Sequence, residues 1–544
     1  MANHPSAAPS DGRRGSPHRR GATTQSEPQT RVIATTRVLW THPLRWLIAN
    51  PTPATVMGLS LIAAGLQVLV ITRPNMLLSG GTYDTALYLG SAIKFVHGVM
   101  PYRDFALLQP PGLVLALTPY ALLSLAVGSR GALMVLTACT PVLAAANVAL
   151  VGRLVSPRGW RAALAACGLM AVYPATYEAL LDGMLEPLMV LFCLIGALLV
   201  FDRGGWSHRW RLAAGGVAFG FATSILVAAV LPASVVALLS IGQLRRRFLP
   251  FVGGGIAGVL IPVIPFLAVG PGPFLHDTII TQLARAQGAV RSPAYDVFMY
   301  LAFRPGAGAT PHRLAFSSAA VAVLVGVVLV GFIATRHRLM PVEWFAIGSA
   351  LTLGAAQFAI AIYYEHFPAM LIPYPAMLLG FAVGRISPRW APRLIPSLVA
   401  LGVAALVITQ SAGFATDAAV DYGPSVDAII PPNGCSSGLT VIPYDATEQM
   451  LVQADRIWSS FPGCTALNDP VAQQLVDVHW GVDAPADFLR SLTHTNYLVT
   501  DMPLSSPSWV NPPFPALVAY IHDDFRPHQS GPLTIYVRNG FPVA

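Results

Sequence analysis

The stretch LAAGGVAFGFATSILVAAVLPASVVALLSI, residues 212–241, decides the fold. It contains no charged residue, and arginine clusters flank it at 203–211 and 245–247. A helix needs about 20 apolar residues to cross a bilayer, and arginines collect on the cytoplasmic side of a membrane protein. Because both clusters belong on that side, we expect the stretch to leave and return as two short transmembrane helices.

Apolar runs of similar length recur along the chain. Of its 544 residues, 54% are hydrophobic and only 11% are charged, which excludes an ordinary soluble protein. The other predicted spans are 53–71, 131–151, 162–176, 187–201, 249–270, 315–334, 341–362, 368–384 and 394–412. The sequence therefore predicts an α-helical polytopic membrane protein with about eleven transmembrane helices. The net charge of +8 reflects arginines segregated by topology, so no nucleic-acid partner is expected.

The arginines also orient the helices. Residues 1–50 are polar and arginine-rich, and we expect them to form a disordered cytoplasmic tail. The apolar segment 113–127 is predicted to lie at the outer interface, since counting it as another span would invert every later loop. The transmembrane module is then 51–412, with long outer loops at 72–130 and 271–313. Residues 413–544 lie outside.

The C-terminal region 413–544 is more polar and acidic than the rest. Short strands are predicted at 439–442, 497–500 and 533–537 and a helix at 467–478, which together favour a small soluble α/β domain. Cys435 and Cys464 both fall in this region, and an extracytoplasmic location would allow them to form a disulfide. We predict that they do.

Acidic residues of the transmembrane module concentrate on one face. The predicted topology places most of them outside: Asp84, Asp104, Glu178, Asp182, Glu186, Asp277, Asp296 and Glu365. Only Asp202 and Glu343 are predicted inside. Ionisable groups are costly close to hydrocarbon, so their concentration indicates a functional site on the outer face.

Motifs in the predicted outer loops indicate a class of function. In the first loop, Tyr83-Asp84 is followed by Gly98-Val99-Met100-Pro101-Tyr102-Arg103-Asp104 and then by Gln109-Pro110-Pro111-Gly112. The region from Pro174 to Pro187, and Tyr363-Tyr364-Glu365-His366-Phe367, continue the pattern on the same face. Together these motifs resemble the GT-C glycosyltransferases, in particular the branch with protein O-mannosyltransferases and bacterial lipid A aminoarabinose transferases.

The resemblance implies a GT-C-like module over roughly 50–390 and an inverting transfer from a polyprenyl-phosphate sugar to an envelope glycan, lipid or protein. Such a reaction needs a carboxylate as general base, for which Asp84 is the candidate. Side chains predicted to bind substrate are Asp104, Asp182, Glu186, Glu365 and His366. The leaving phosphate needs cations, and the candidates are Lys94, which is the only lysine, Arg103, Arg285 and Arg291. Thr85 follows Asp84 where some relatives carry a second acid, so the metal ligands are unknown and a divalent cation is left open.

The same residues also allow simpler, structural interpretations. Asp84 could only cap a helix predicted at 82–97, and the outer cations could only contact lipid headgroups. The other function classes are a transporter or flippase, and a non-catalytic envelope-assembly protein that binds through 413–544. The Ala-, Arg- and Pro-rich composition is typical of an actinobacterium, in which related enzymes are mannosyl- or arabinosyltransferases of the cell envelope. We therefore expect a bacterial plasma membrane location.

Overall fold

The computed structural model describes most of the membrane module and parts of the C-terminal region. The described ranges are 49–79, 83–181, 183–281, 311–333, 338–359, 366–390, 396–404, 419–432, 434–438, 495–500 and 515–544, with a few single positions between them. The longer helices are α1 (Pro51–Ile71), α3 (Tyr83–Val96), α4 (Gly112–Val155), α5 (Trp160–Val172), α7 (Leu185–Val200), α8 (Arg209–Ile225), α9 (Val230–Ser240), α10 (Leu249–Val269), α12 (Pro311–Ile333), α13 (Pro341–Ala359) and α15 (Pro373–Trp390). The shorter ones are α2 (Met76–Ser79), α6 (Pro174–Leu181), α11 (Pro271–Leu275), α14 (Pro368–Leu371), α16 (Gly423–Asp427) and α17 (Pro515–Asp524).

Several of these helices are suited to a lipid environment. Within the described residues, three helical stretches are long and apolar enough to cross a membrane, 51–71, 112–158 and 227–269, and the bent pair α5 and α6 makes a fourth if it counts as one span. Many large apolar side chains on them are exposed, such as Ile261 and Val142. The protein is therefore a membrane protein with a mainly helical fold, as predicted.

The stretch 212–241 forms two helices, as predicted, while their separate crossing of the membrane stays a prediction. α8 ends at Ile225, Leu226 is extended with φ −142° and ψ 121°, and a short 3₁₀ turn leads into α9. Glycines let α8 pack unusually close to α10. A Cβ atom on Gly216 would overlap the carbonyl oxygen of Phe251, and one on Gly254 would overlap that of Ala213. Small residues at four-residue spacing are a common way to bring membrane helices together.

One predicted boundary is wrong, and another coincides with a kink. The span predicted at 162–176 ends at Val172, because Tyr173 precedes Pro174 and takes an extended conformation, after which α6 bends away by 51°. The segment 113–127 is helical and ends at Gly128, whose φ of 76° and ψ of 167° are non-helical, so α4 consists of two helical segments, 112–127 and 129–155, that meet at a kink. At 1.5 Å per residue the two segments are roughly 24 Å and 40 Å long, so the second alone is long enough to cross the hydrocarbon, and the position of 113–127 at the outer interface stays a prediction.

A buried ion-pair cluster joins the ends of three segments. The carboxylate of Glu343, on α13, lies 2.6 Å from Arg385 of α15 and 2.9 Å from Arg158, in the 3₁₀ turn (Ser156–Arg158) that follows α4. Glu343 is fully buried, and it also accepts a 2.8 Å hydrogen bond from the backbone N–H of Met340. A buried carboxylate needs such partners, and breaking the cluster leaves an uncompensated charge.

A two-stranded hairpin, β1 (Phe201–Asp202) and β2 (Gly205–Trp206), connects α7 to α8. The C-terminal region contains a four-stranded sheet in the order β3-β4-β6-β5, with β3 (Ser436–Gly438) parallel to β4 (Tyr497–Thr500) and the other neighbours antiparallel. β5 is Phe525–Ser530 and β6 is Leu533–Arg538. The strands predicted at 497–500 and 533–537 are confirmed, whereas 439–442 and 467–478 lie outside the described residues.

The C-terminal region is attached to the loop ends of the helices. Ala419 exchanges hydrogen bonds with the segment after α1, through Pro74 O at 3.1 Å and Asn75 Nδ2 at 3.1 Å. Asp421 forms a 2.5 Å ion pair with Arg130, two residues beyond the kink in α4. Cys435 is disulfide-bonded. Its predicted partner Cys464 lies outside the described residues, so that pairing stays a prediction.

Candidate functional site

The predicted general base lies at the start of α3. Asp84 is the second residue of this helix and is half-buried, so it follows the N-cap position rather than occupying it. A carboxylate in the first turn is favoured by the helix dipole. Gly98 ends the helix, with φ 87° and hydrogen bonds from Gly98 N to Phe95 O and from Val99 N to Lys94 O. This is a Schellman motif, and it confirms that Gly98 stops the helix.

The turn between α6 and α7 packs against the first turn of α3. Thr85 Oγ1 donates a hydrogen bond to the carbonyl oxygen of Leu181. Gly183 has φ 81°, and a Cβ atom there would lie 2.6 Å from the Tyr88 ring and 3.1 Å from the Asp84 carbonyl oxygen. Glycine is therefore required at 183 both for its backbone conformation and for this close approach. Asp182, in the same turn, lies outside the described residues.

Glu186 and His366 meet on the other side of that turn. Glu186 Oε1 lies 3.6 Å from His366 Nε2, and the Glu186 side chain is 1% exposed. Tyr364 stacks on the His366 ring with an interplanar angle of 3°. Both residues were predicted to bind substrate, and the structure brings them together. Glu186 follows Gly183, which packs against the first turns of α3, by three residues.

The segment 99–111 forms a tight loop that leads from α3 to α4. Its centre is Tyr102, which has φ 67° and whose backbone N–H donates a 2.9 Å hydrogen bond to Phe105 O. A bulky residue in this region of backbone space is strained and must be held by its surroundings. The Tyr102 hydroxyl donates to the backbone oxygen of Gln109 at 2.6 Å, and Gln109 Nε2 donates to the Tyr88 hydroxyl at 3.3 Å.

Arg103 and Asp104 of this loop pair with each other. Arg103 Nη2 lies 2.6 Å from Asp104 Oδ2, and that carboxylate also accepts the backbone N–H of Met100 at 2.8 Å. The hydrogen bond from Arg103 lowers the pKa of Asp104, and the same bond raises the pKa of Arg103. Asp104 therefore supports the loop, and Arg103 remains the more exposed of the two.

Lys94 lies at the opposite end of α3 from Asp84, about 15 Å along the helix axis. It is 2% exposed, and its Nζ atom lies 5.5 Å from the centre of the Phe105 ring. A buried lysine over an aromatic ring is a cation–π contact. Phe105 belongs to the loop that carries Arg103. Two of the four cations predicted to bind phosphate, Lys94 and Arg103, are therefore associated with the same loop.

Other predicted residues are not described. Glu365, Arg285 and Arg291, like Asp182, lie outside the described residues and stay predictions. Among the described residues, no group of three or more His, Cys, Asp or Glu side chains could hold a metal. The open question of a divalent cation is therefore untested.

The structure adds residues that the sequence did not assign. Gln109 and Tyr88 link the loop to α3, although the sequence identified each only as part of a motif or helix face. Asp277 was placed among the outer acids without a role, and it accepts the backbone N–H of Leu107 at 3.2 Å. The sequence feature that could have identified Asp277 is the polar pair His276-Asp277, which follows immediately after an apolar, proline-rich segment.

Taken together, the described residues include a carboxylate at the start of α3, a buried carboxylate next to an imidazole, Arg103 on the loop 99–111, and Lys94 buried against that loop. This set could accept a proton, hold hydroxyl groups and stabilise an anion. Those are the requirements for transfer of a group from a phosphate ester to a hydroxyl.

No family model and no curated protein matches the chain. Solved structures of other proteins, however, are similar to it. ArnT from Cupriavidus metallidurans, bound to undecaprenyl phosphate, is similar with a TM-score of 0.54 and 14% identity over 90% of this chain and 97% of that one. The apo oligosaccharyltransferase from Archaeoglobus fulgidus has a TM-score of 0.50 and 13% identity over 89% and 74%. The chain therefore has a GT-C-type fold, as the motifs of its first outer loop predicted.

Proposed function

We propose that the protein is a glycosyltransferase of the bacterial plasma membrane, which moves a sugar from a polyprenyl-phosphate donor to an extracytoplasmic acceptor with inversion. The observation that carries this proposal is the placement of Asp84 in a GT-C-type fold. It lies in the first turn of α3 against the turn that also carries Glu186 beside His366. The undecaprenyl phosphate bound by ArnT supports a donor of this chemical class.

In this proposal, Asp84 accepts the proton of the acceptor hydroxyl while the hydroxyl oxygen attacks the anomeric carbon. The bond from that carbon to the phosphate oxygen breaks, and the lipid phosphate leaves with the electron pair. Glu186 and His366, with Asp104, Asp182 and Glu365, are proposed to hold the acceptor. The charge on the departing phosphate is stabilised by Lys94, Arg103, Arg285 and Arg291.

The polyprenyl chain needs an apolar site inside the membrane. A cavity of about 450 Å³ lies between α8, α9 and α10, lined by residues such as Phe219, Ala237 and Ile256. The cavity lining includes Thr223. The next residue, Ser224, lies so close to Gly112 that a Cβ atom on Gly112 would overlap the Ser224 side chain. We propose that the donor chain occupies this cavity, because it leads from the hydrocarbon towards the loop that ends at Gly112.

The proposal includes the predicted topology of about eleven spans, with the N-terminus inside and an α/β domain at 413–544 outside. Two features support it. The attachment of Ala419 and Asp421 at Asn75 and Arg130 is on the end of the module that carries the outer loops. The cluster around Glu343 is at the other end of α4.

Transfer of labelled sugar in right-side-out and inverted vesicles would test this function. The donor panel consists of polyprenyl-phosphate sugars, beginning with mannosyl and arabinosyl forms. We expect one donor to be consumed and Asp84→Asn to lower kcat by at least about 10²-fold, as loss of a general base does. Asp202→Asn is the matched control, because Asp202 is exposed on the β1–β2 hairpin and far from the outer loops.

Two results would contradict the proposal. One is that no donor in the panel is consumed while Asp84→Asn still complements a deletion strain, which would favour transport or flipping of a lipid. The other is that removal of 413–544 abolishes function while Asp84→Asn has no effect, which would favour an assembly protein that binds through its C-terminal domain.

A further inference from the structure

A buried polar cluster lies just after α11 and outside the set of predicted site residues. Residues His276–Ile280 form a single π-helical turn, and the side chains of His276, Asp277 and Thr278 are all buried, Asp277 to 2% exposure. π-Helical turns occur preferentially at functional sites. Burial of a carboxylate is costly unless it makes specific contacts, so the contacts of Asp277 identify its role.

Asp277 holds the first outer loop. Its Oδ2 atom accepts the backbone N–H of Leu107 at 3.2 Å, and Leu107 is itself buried. On the other side, Asp277 Oδ1 lies 3.7 Å from His276 Nδ1, and Thr281 Oγ1 lies 3.3 Å from the same nitrogen. The carboxylate therefore faces the imidazole of its own segment with one oxygen and binds a backbone group of the loop 99–111 with the other.

Tyr102 makes a second connection between the same two segments. Its ring packs edge-on against Phe274 of α11, with centroids 4.9 Å apart, and against Phe266 of α10 at 6.0 Å. Burial, and then the charge of Asp277, raise the pKa of Tyr102 well above its ordinary value, so its hydroxyl stays protonated and donates to Gln109 O. Gln109 Nε2 in turn donates to the hydroxyl of Tyr88, one turn after Asp84 on α3.

We propose that Asp277 is a positioning residue for sugar transfer, which fixes the loop 99–111 and, through Gln109 and Tyr88, the first turn of α3 that carries Asp84. This inference rests on the proposed function, because its kinetic test measures sugar transfer. Asp277 belongs to the predicted second outer loop, 271–313, and in this role it contacts neither the donor nor the acceptor. The ring of Tyr102 packs against Phe274 and Phe266, which holds its strained backbone, and Asp277 holds the same loop at Leu107.

Loss of the Asp277 carboxylate should lower kcat rather than weaken donor binding. The N–H of Leu107 would lose its acceptor, and the loop would shift relative to α3. A displacement of about 1 Å in a catalytic array can cost about 10²-fold in rate. Asparagine offers an amide oxygen at nearly the same place, so Asp277→Asn should keep the hydrogen bond without the charge.

The test compares Asp277→Ala, Asp277→Asn and Thr278→Ala in the purified full-length protein. Thr278 is the matched control, because it is buried in the same π-helical turn, and among the described residues its hydroxyl donates to Phe274 O, four residues earlier, at 2.7 Å. Steady-state kinetics gives kcat and the donor KM. Amide hydrogen exchange of peptides that contain Leu107, followed by mass spectrometry, reports on the loop without depending on activity.

We expect Asp277→Ala to lower kcat by about 10²-fold with little change in donor KM, and to accelerate exchange at Leu107. Asp277→Asn should stay within about tenfold of the wild type, and Thr278→Ala should match the wild type in both readouts. Unchanged exchange in Asp277→Ala would overturn the contact, and equal losses in Asp277→Asn or Thr278→Ala would overturn the positioning role. If the wild type transfers no sugar while exchange changes as expected, the proposed function fails but the contact stands.

Discussion

Glu186 Oε1 and His366 Nε2 lie 3.6 Å apart in the interior of the membrane module, where α7 begins and where the chain enters α14. Each of the two residues comes from a separate motif, and both motifs were assigned to the outer face. Their proximity joins the start of α7 to the segment before α14. It also supplies a buried pair whose disruption can be measured.

His366→Ala should destabilise the protein by about 1–3 kcal/mol, because it removes a neighbour of a buried polar group. Adding Glu186→Gln should recover part of that loss, since the remaining side chain is then uncharged. Thermal unfolding of the purified variants in detergent would give the comparison. If the double variant is as unstable as the sum of the single variants, the two side chains do not interact.

Gly183→Ala should reduce both stability and sugar transfer. A residue with a Cβ at this positive φ costs about 1–3 kcal/mol, and the new methyl group would displace Tyr88 or the first turn of α3. Gly159→Ala is the control, since Gly159 also has a positive φ, 84°, but no atom of the described residues lies within 4 Å of its Cβ position.

We expect Gly159→Ala to lose stability while keeping its activity per folded molecule. Gly183→Ala should lose activity beyond what its unfolding explains. Equal specific activity in the two variants would show that the contact at Gly183 does not affect the site.

Glu343→Ala should be among the most destabilising single changes. It leaves Arg385 and Arg158 without their shared carboxylate in a buried place, which costs about 3–5 kcal/mol. The folded fraction should still transfer sugar at the wild-type rate, since the cluster lies at the far end of α4 from the outer loops. Melting temperature and activity per folded molecule, measured on one preparation, separate the two effects.

Ala237→Trp should raise the donor KM, because Ala237 lines the cavity proposed to hold the polyprenyl chain. Leu238→Trp is the matched control, since the adjacent Leu238 is 68% exposed and lies outside the cavity lining. A donor with a shortened chain should be affected less by Ala237→Trp than the natural one. If both tryptophan variants behave alike, the chain lies elsewhere.

The helical segments could be predicted because apolar runs are local features of the sequence, whereas their direction across the membrane stays a prediction. The division of 212–241 into two helices was predicted from the arginine clusters 203–211 and 245–247 on either side of it. The error in the boundary of 162–176 arose where one residue mattered more than the run around it, because Pro174 ended a helix inside an apolar segment.

The site could be predicted only as a set of residues on one face. Its internal contacts depend on tertiary packing, so the approach of Glu186 to His366 and of Asp277 to Leu107 could not be derived from spacing. Nor does the sequence reveal that Arg103 and Asp104, which are neighbours, pair with each other. Adjacent opposite charges on a loop can point apart as readily as together, and here the turn at Tyr102 directs them to each other.

The kink in α4 has a consequence for how the two ends of this element are coupled. The first segment starts at Gly112, at the end of the loop that carries Tyr102 and Gln109, and the second runs to Val155, just before Arg158 in the cluster around Glu343. Gly128 separates the two segments, and the Arg130–Asp421 pair ties the start of the second one to the C-terminal region. The loop and the cluster are thus insulated from each other by a bend, so that damage to one leaves the other in place.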